Sequence, residues 1–344
     1  MSTYLGQKGY TIYKDSLEVK EQLLIRKELE VSPWVPKSSF HKPPSFPIYR
    51  ESKSKIYIPR FYGIENYGEA EEVRLSEGQD IDLPFEGDLR AKQVPAVKAF
   101  LNSKSGCGLL ELCCGFGKTV CALKIIAELK KKTLVIVHKS FLMNQWKERI
   151  EQFLPGARVG TIQGETIDTE DKDIVLGMLQ SISMKEYPWS LFQEFGLTII
   201  DETHHISAEV FSRSLFKIVT KYMLGLSATM KRKDGLTRVF KMFLGDVVYK
   251  KERENTNLKV RAIKYESNDE EYCEDILNYR GQIFYAKMIN KLCDFNRRSE
   301  FILKILSDVL KEREGQQIMI LAHNKTLLKY FHDAIEHRNM ATVG

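Results

Sequence analysis

The chain has 344 residues, 43% hydrophobic and 28% charged, and carries a formal net charge of +6. That length predicts about two domains with a full apolar core. The basic excess permits a polyanionic partner, while no run approaches the ~18 apolar residues of a membrane span.

The first residues, Met1-Ser2-Thr3-Tyr4-Leu5, lack the basic and apolar regions of a secretory signal, so an intracellular protein with no membrane partner is expected. The six cysteines (107, 113, 114, 121, 273 and 293) form no C-x-x-C pair suited to zinc and read as reduced thiols. Two of them sit inside a glycine-rich turn that a disulfide would distort.

A helix is predicted over Leu17–Glu30, then a Pro-rich segment to Pro47, then a strand at Lys55–Pro59. Residues 1–64 therefore read as a small N-terminal domain. Residues 65–88 hold nine acids against the single base Arg74 and read as an acidic linker or, equally, a surface loop. From Leu89 the pattern changes. Apolar strands at Gly108–Leu112, Thr133–Val137, Val159–Ile162, Ile174–Met178, Leu197–Ile200 and Tyr222–Leu226 alternate with helices at Thr119–Lys130, Ser140–Phe153 and Ala208–Thr220. This alternation is that of a doubly wound parallel α/β sheet over residues 89–250. Residues 251–298 read as a helical connector. A strand at Gln317–Leu321 and a helix at Lys325–His337 then open another α/β unit, residues 299–344.

The chemistry lies where strands end. Cys114-Gly115-Phe116-Gly117-Lys118-Thr119 follows the first of these strands: a glycine turn aims backbone N–H groups at phosphate oxygens, Lys118 adds an ammonium, and Thr119 can hold Mg²⁺. Asp201-Glu202 follows another strand; one carboxylate suits the metal's outer shell and its neighbour can orient or deprotonate a water. Together they read as a nucleoside triphosphate site with Mg²⁺.

The ordered set Leu89-Arg90-x-x-Gln93, Cys114 to Thr119, Gln145-Trp146, Asp201-Glu202-Thr203-His204 and Ser227-Ala228-Thr229 resembles superfamily 2 helicases, above all the XPB-like branch and the helicases of large DNA viruses. The resemblance covers about residues 89–332 and implies a RecA-like P-loop fold with helices on both sheet faces, followed by the start of a second RecA-like domain. It implies an ATP-dependent translocase or helicase on DNA, or on RNA, acting in transcription or repair, with protein partners reached through the N-terminal domain. It implies that Gln93, with Arg90 beside it, reads adenine, and that Lys118, Asp201, Glu202 and His204 are catalytic, His204 coupling ATP to nucleic acid. Ser227 and Thr229 are expected to bond the Asp201 segment. Lys139, Ser140, Gln145, Gln180, Ser181 and Arg232 are expected at the polymer, where basic groups, hydroxyls and amides hold phosphates without reading bases. Trp146 reads as core. Two departures stand out: Leu112 lies five before Gly117, where a small residue is usual, and Lys233 reverses the sign of the Arg-Glu-Asp common in the branch at Arg232-Lys233-Asp234. Because the arginines of a second domain are not seen before Gly344, weak turnover of a truncated chain is the expectation. A nucleic-acid-binding scaffold with an inactive core and a P-loop phosphotransferase are the alternatives.

Overall fold

A computed structural model describes residues 2–34, 43–203, 208–231, 234–253, 260–312, 315 and 317–341. The chain divides into two compact units, residues 1–256 and 257–344.

The first unit is built on an eight-stranded sheet in the order Thr166–Asp168, Val159–Gln163, Ile174–Met178, Thr133–Val137, Leu197–Ile200, Tyr222–Ser227, Cys107–Leu112 and Val247–Lys251. Every pairing is parallel except that of the short Thr166–Asp168 strand, which returns antiparallel to Val159–Gln163. Side chains alternate across a strand, and this sheet shows the consequence. Leu134 and Ile136 enter one apolar cluster, Val135 and Val137 the other. Helices Val94–Leu101, Lys118–Leu129 and Ser140–Phe153 cover the face of Val135, through Phe100, Ile125 and Trp146. Helices Leu179–Met184, Ala208–Leu215 and Thr237–Leu244 cover the other, through Ile182, Phe211 and Phe240. The parallel sheet with helices on both faces is therefore as expected, with Val247–Lys251 added at the edge. The helix expected to reach Thr220 closes at Leu215.

The N-terminal region is not a separate body. Strands Arg50–Glu51, Lys55–Ile58, Gly9–Tyr13, Thr3–Gly6 and Glu72–Val73 form a second sheet. Its Tyr10, Ile12, Ile56 and Ile58 join Phe216 and Phe243 of the helicase-like region in one core. The first predicted helix forms over Val19–Glu28. The expected acidic linker is likewise part of the unit: Glu72–Val73 adds a parallel strand beside Thr3–Gly6, and Ile81 and Leu83 are buried. A segment that contributes a strand and apolar side chains cannot act as a tether, whatever its charge. Arg60 fixes the docking, donating from its guanidinium to the Ser105 carbonyl at 3.1 Å and the Lys221 carbonyl at 3.2 Å.

In the second unit, helices Tyr285–Asp294, Asn296–Glu312 and Lys325–His337 enclose Leu303, Leu327, Phe331 and Ile335. The boundary expected at 298/299 falls inside the helix Asn296–Glu312. Of the strand expected at Gln317–Leu321 none forms; Met319 and Leu321 stand exposed, and no described strand of this unit offers its N–H and C=O groups a ladder.

Gly63 lies on the helix Arg60–Tyr67 that docks against the N-terminal sheet, and a Cβ there would sit 2.2 Å from Tyr10 Cγ, the root of a buried ring. Overpacking costs about 1–3 kcal/mol, against a helix-propensity gain of about 1 kcal/mol over glycine. Gly63→Ala is expected to lower the urea midpoint; an unchanged or raised midpoint would refute the docking described here.

Candidate functional site

Strand Cys107–Leu112 runs into a turn in which Gly115 (φ +76°) and Gly117 (φ +95°) are left-handed, and Gly117 caps the helix Lys118–Leu129. A side chain at Gly117 is excluded twice. The φ is unfavourable for any L-residue with a Cβ, and the added carbon would lie 2.3 Å from Gln93 Nε2 and 2.6 Å from an Arg90 guanidinium nitrogen. Those two residues brace the turn from the segment before the helix Val94–Leu101. Gln93, 2% exposed, donates from Nε2 to the Phe116 carbonyl at 3.1 Å, while its Oε1 accepts from Arg90 N–H at 2.8 Å. Arg90 donates to the Phe116 carbonyl and, at 3.4 Å, to that of Gly115. Phe116 is buried beneath, while Cys114 is exposed on the turn and Thr119 is half-buried on the first helical turn.

The carboxylates come from the end of Leu197–Ile200, two strands away in the sheet. Asp201 is 5% exposed. Its Oδ2 accepts from Trp146 Nε1–H at 2.8 Å and its Oδ1 from Glu202 N–H at 2.9 Å. Burial pushes its pKa above the ordinary aspartate value; the indole hydrogen bond opposes that, the Glu202 charge adds to it, and the Lys118 charge opposes it. Glu202 adopts φ +51°, and its Oε1 lies 3.2 Å from Lys118 Nζ. Lys118 thus shares one edge with the adjacent Asp201 and Glu202, although it precedes them by 83 residues or more in the chain.

Lys139, Ser140 and Gln145 are exposed at the start of helix Ser140–Phe153, on the same edge. Gln180 reaches them, donating from Nε2 to the carbonyl of His138 at 3.1 Å, and Ser181 Oγ accepts from Gly164 N–H at 2.9 Å. His204 and Arg232 lie outside the described residues. Ser227 Oγ donates to the Thr229 carbonyl at 2.6 Å, and Thr229 Oγ1 accepts from Lys231 N–H at 3.2 Å, both inside their own turn. The link to the Asp201 segment is made by Thr203, fully buried, whose hydroxyl donates to the Leu226 carbonyl at 3.4 Å. Sequence reasoning missed Thr203 and the polar role of Trp146. The Trp146 indole N–H had a findable signal, since a buried indole needs an acceptor.

An acid whose folded pKa is raised holds its stability contribution fully only below the unfolded pKa, about 3.9, and loses it as pH climbs through the raised folded pKa. Asp201→Asn has no such loss. In protein free of nucleotide and metal, its unfolding midpoint is expected to gain on wild type as pH rises from about 4 toward about 7. A gap between the two proteins that stays constant with pH would contradict the burial of an ionisable Asp201.

Residues 86–232 match the family described as Type III restriction enzyme, res subunit. The chain is 31% identical over 337 residues to the protein named "Putative ATP-dependent RNA helicase L396" of Acanthamoeba polyphaga mimivirus, covering 94% of this chain and 63% of that one. It is 31% identical over 265 residues to the DNA 3'-5' translocase XPB2 of Sulfurisphaera tokodaii, covering 74% of this chain and 53% of the relative. The chain thus spans between half and two thirds of these relatives' lengths. Among solved structures the UvsW helicase of bacteriophage T4 superposes with a TM-score of 0.51 at 15% identity, over 72% of this chain and 100% of that one, a likeness of fold. With the glycine turn, the paired carboxylates and the braced Gln93 in the order and places described, residues 86–232 carry the domain of that family, and the chain is similar to viral putative helicases and to the XPB2 translocase.

Proposed function

We propose that the chain is the ATP-hydrolysing motor core of a translocase or helicase that moves on nucleic acid, DNA in the first instance, and that it serves transcription or DNA repair. The observation that carries this reading is the meeting of Lys118, Glu202 and buried Asp201 beside a left-handed glycine turn at the carboxyl ends of parallel strands. Backbone N–H groups at the start of Lys118–Leu129 favour anionic phosphate. Lys118 then exchanges Glu202 for a phosphate oxygen, leaving the Glu202 carboxylate to orient and deprotonate an attacking water.

The donor set fits Mg²⁺. A carboxylate buried against its own charge preference is stabilised by a nearby divalent cation, and the Thr119 hydroxyl and Asp201 are the groups that would hold it. Bound there, the metal would neutralise charge on the transferring phosphoryl group. Gln93 retains one lone pair on its oxygen beyond the bond from Arg90, enough to receive an adenine N–H while it braces the loop. His204, in the motif that follows Asp201, would couple this site to the polymer. For the polymer, Lys139, Ser140, Gln145, Gln180, Ser181 and Arg232 are assigned contacts to phosphates, with Ser227 and Thr229 assigned to coupling. The intact Lys118, Asp201 and Glu202 favour this reading over an inactive scaffold. Partners in transcription or repair would meet the N-terminal sheet.

A hydrogen bond to a charged group is worth about 1.5–3 kcal/mol, or roughly 10- to 100-fold in affinity per bond. Lys118→Ala is expected to weaken binding of a fluorescent ATP analogue by at least this factor and to abolish DNA-stimulated turnover. Glu202→Gln is expected to keep binding and lose turnover. Turnover retained by Lys118→Ala would sink the reading.

A further inference from the structure

At the opposite edge of the large sheet, where Leu197–Ile200 and Tyr222–Ser227 begin, a cavity of about 670 Å³ opens between that sheet and the N-terminal one. Its size falls in the range that holds a drug-sized molecule, about 300–1,000 Å³. It is distinct from the triphosphate edge, which lies at the other ends of the same strands.

Its walls are unusual in two respects. Three polar atoms buried in residues that line it have no hydrogen-bond partner among the described residues: the Thr11 hydroxyl, the Tyr187 hydroxyl and the Gln7 side-chain oxygen. Thr11 is fully buried. Gln7 is held in place by its other end, since Nε2 donates to the Trp189 carbonyl at 3.0 Å and the Lys217 carbonyl at 2.9 Å, leaving the oxygen as a fixed acceptor. Burial keeps the Tyr187 phenol protonated by pushing its pKa up. Buried polar atoms without partners are rare because each forfeits its hydration. Three around one cavity point to a ligand that supplies the missing partners.

The second respect is the lining itself. Tyr4, Tyr57 and Trp189 offer aromatic faces, and Lys8 and Arg74 stand over two of them, Lys8 Nζ 5.2 Å from the Tyr57 ring centroid and Arg74 4.0 Å from that of Tyr4. Among the charged lining residues Glu186 is the one acid; it lies 3.2 Å from Lys217. An aliphatic ligand would leave the three polar atoms unpaired. A flat heterocycle bearing N–H and carbonyl groups on its edge would satisfy them and stack on the rings, and an attached phosphate would meet the cations.

We propose that this cavity receives one nucleotide, its base among the aromatic rings and against Gln7, Thr11 and Tyr187, its phosphate at Lys8 and Arg74. The nucleotide is either free in solution or extruded from a strand. The assignment stands independently of the ATP reading, since it uses none of the same residues.

The test uses the full chain carrying Lys118→Ala, so that binding does not report on the triphosphate turn. Two probes are titrated: thymidine monophosphate, which lacks the adenine that Gln93 would receive, by equilibrium dialysis, and a thymidine oligonucleotide holding one 2-aminopurine, compared with the same strand holding an abasic site there. Stacking of one base on aromatic side chains predicts about tenfold tighter binding of the base-bearing strand. Thr11→Val with Tyr187→Phe, which preserves shape and removes both hydroxyls, is expected to erase that preference. The melting temperature should be no lower, because unpaired buried hydroxyls are removed. Saturable binding of the monophosphate, lost in the double variant, assigns a free nucleotide; a base preference confined to the strand, and lost likewise, assigns an extruded one. Equal affinity for base-bearing and abasic strands with no monophosphate binding overturns the proposal. So does monophosphate binding, or a base preference, that survives the double variant.

Discussion

Placing a carboxylate at 5% exposure at the end of a buried strand is the constraint around which the site is organised. Such a group is tolerated only where donors face it, and the donors come from two directions. Trp146 arrives from helix Ser140–Phe153 and the Glu202 amide from the next residue of the chain. The indole therefore does two things: its rings fill the core on one sheet face, and its N–H fixes the carboxylate that faces the phosphate turn. The helix that carries it begins at Lys139 and Ser140, so the residues assigned to the polymer and the residue that holds Asp201 belong to one rigid element.

The turn is constrained by the same economy of space. At Gly117 the left-handed φ, the absence of a side chain and the approach of Gln93 and Arg90 are a single requirement, because the two bracing side chains occupy the volume that a Cβ would take. Gln93 is thus a structural part of the loop before any ligand is considered. Its bonds span 23 residues of sequence to Phe116, 24 to Gly117 and three to Arg90.

The central sheet was readable because it is buried on both faces, which leaves near-continuous apolar runs such as Thr133–Val137 and Ile174–Met178 with strand boundaries that the structure reproduces. Helix Ser140–Phe153 was equally plain from its apolar spacing. The edge strand Val247–Lys251 was not, since its residues are only half-buried. The N-terminal region misled for a different reason. Charge density between Glu65 and Asp88 reports solvent exposure of side chains, whereas the pairing of Glu72–Val73 is a backbone event to which those side chains contribute nothing. At Gln317–Leu321 the error runs the other way: an apolar run has strand character, but a strand exists only when a neighbour accepts its ladder, and composition does not record the neighbour. Thr203 was hidden because a pairing partner 23 residues away leaves no local pattern, whereas Trp146 announced the need for an acceptor but not which one, 55 residues away.

The ion pair of Lys118 and Glu202 links the parts. A non-glycine residue in the left-handed region costs about 1–2 kcal/mol, and Glu202 at φ +51° bears that cost at the residue following the buried aspartate. A partly exposed ion pair is worth about 0–1 kcal/mol after screening, so Lys118 alone does not offset the strain. The conformation is held instead by the backbone, through the Glu202 amide that Asp201 accepts and the fully buried Thr203 that follows. Glu202 therefore keeps its place when its cation leaves. Under the function proposed above, an arriving phosphate draws Lys118 away and leaves the carboxylate where the backbone holds it.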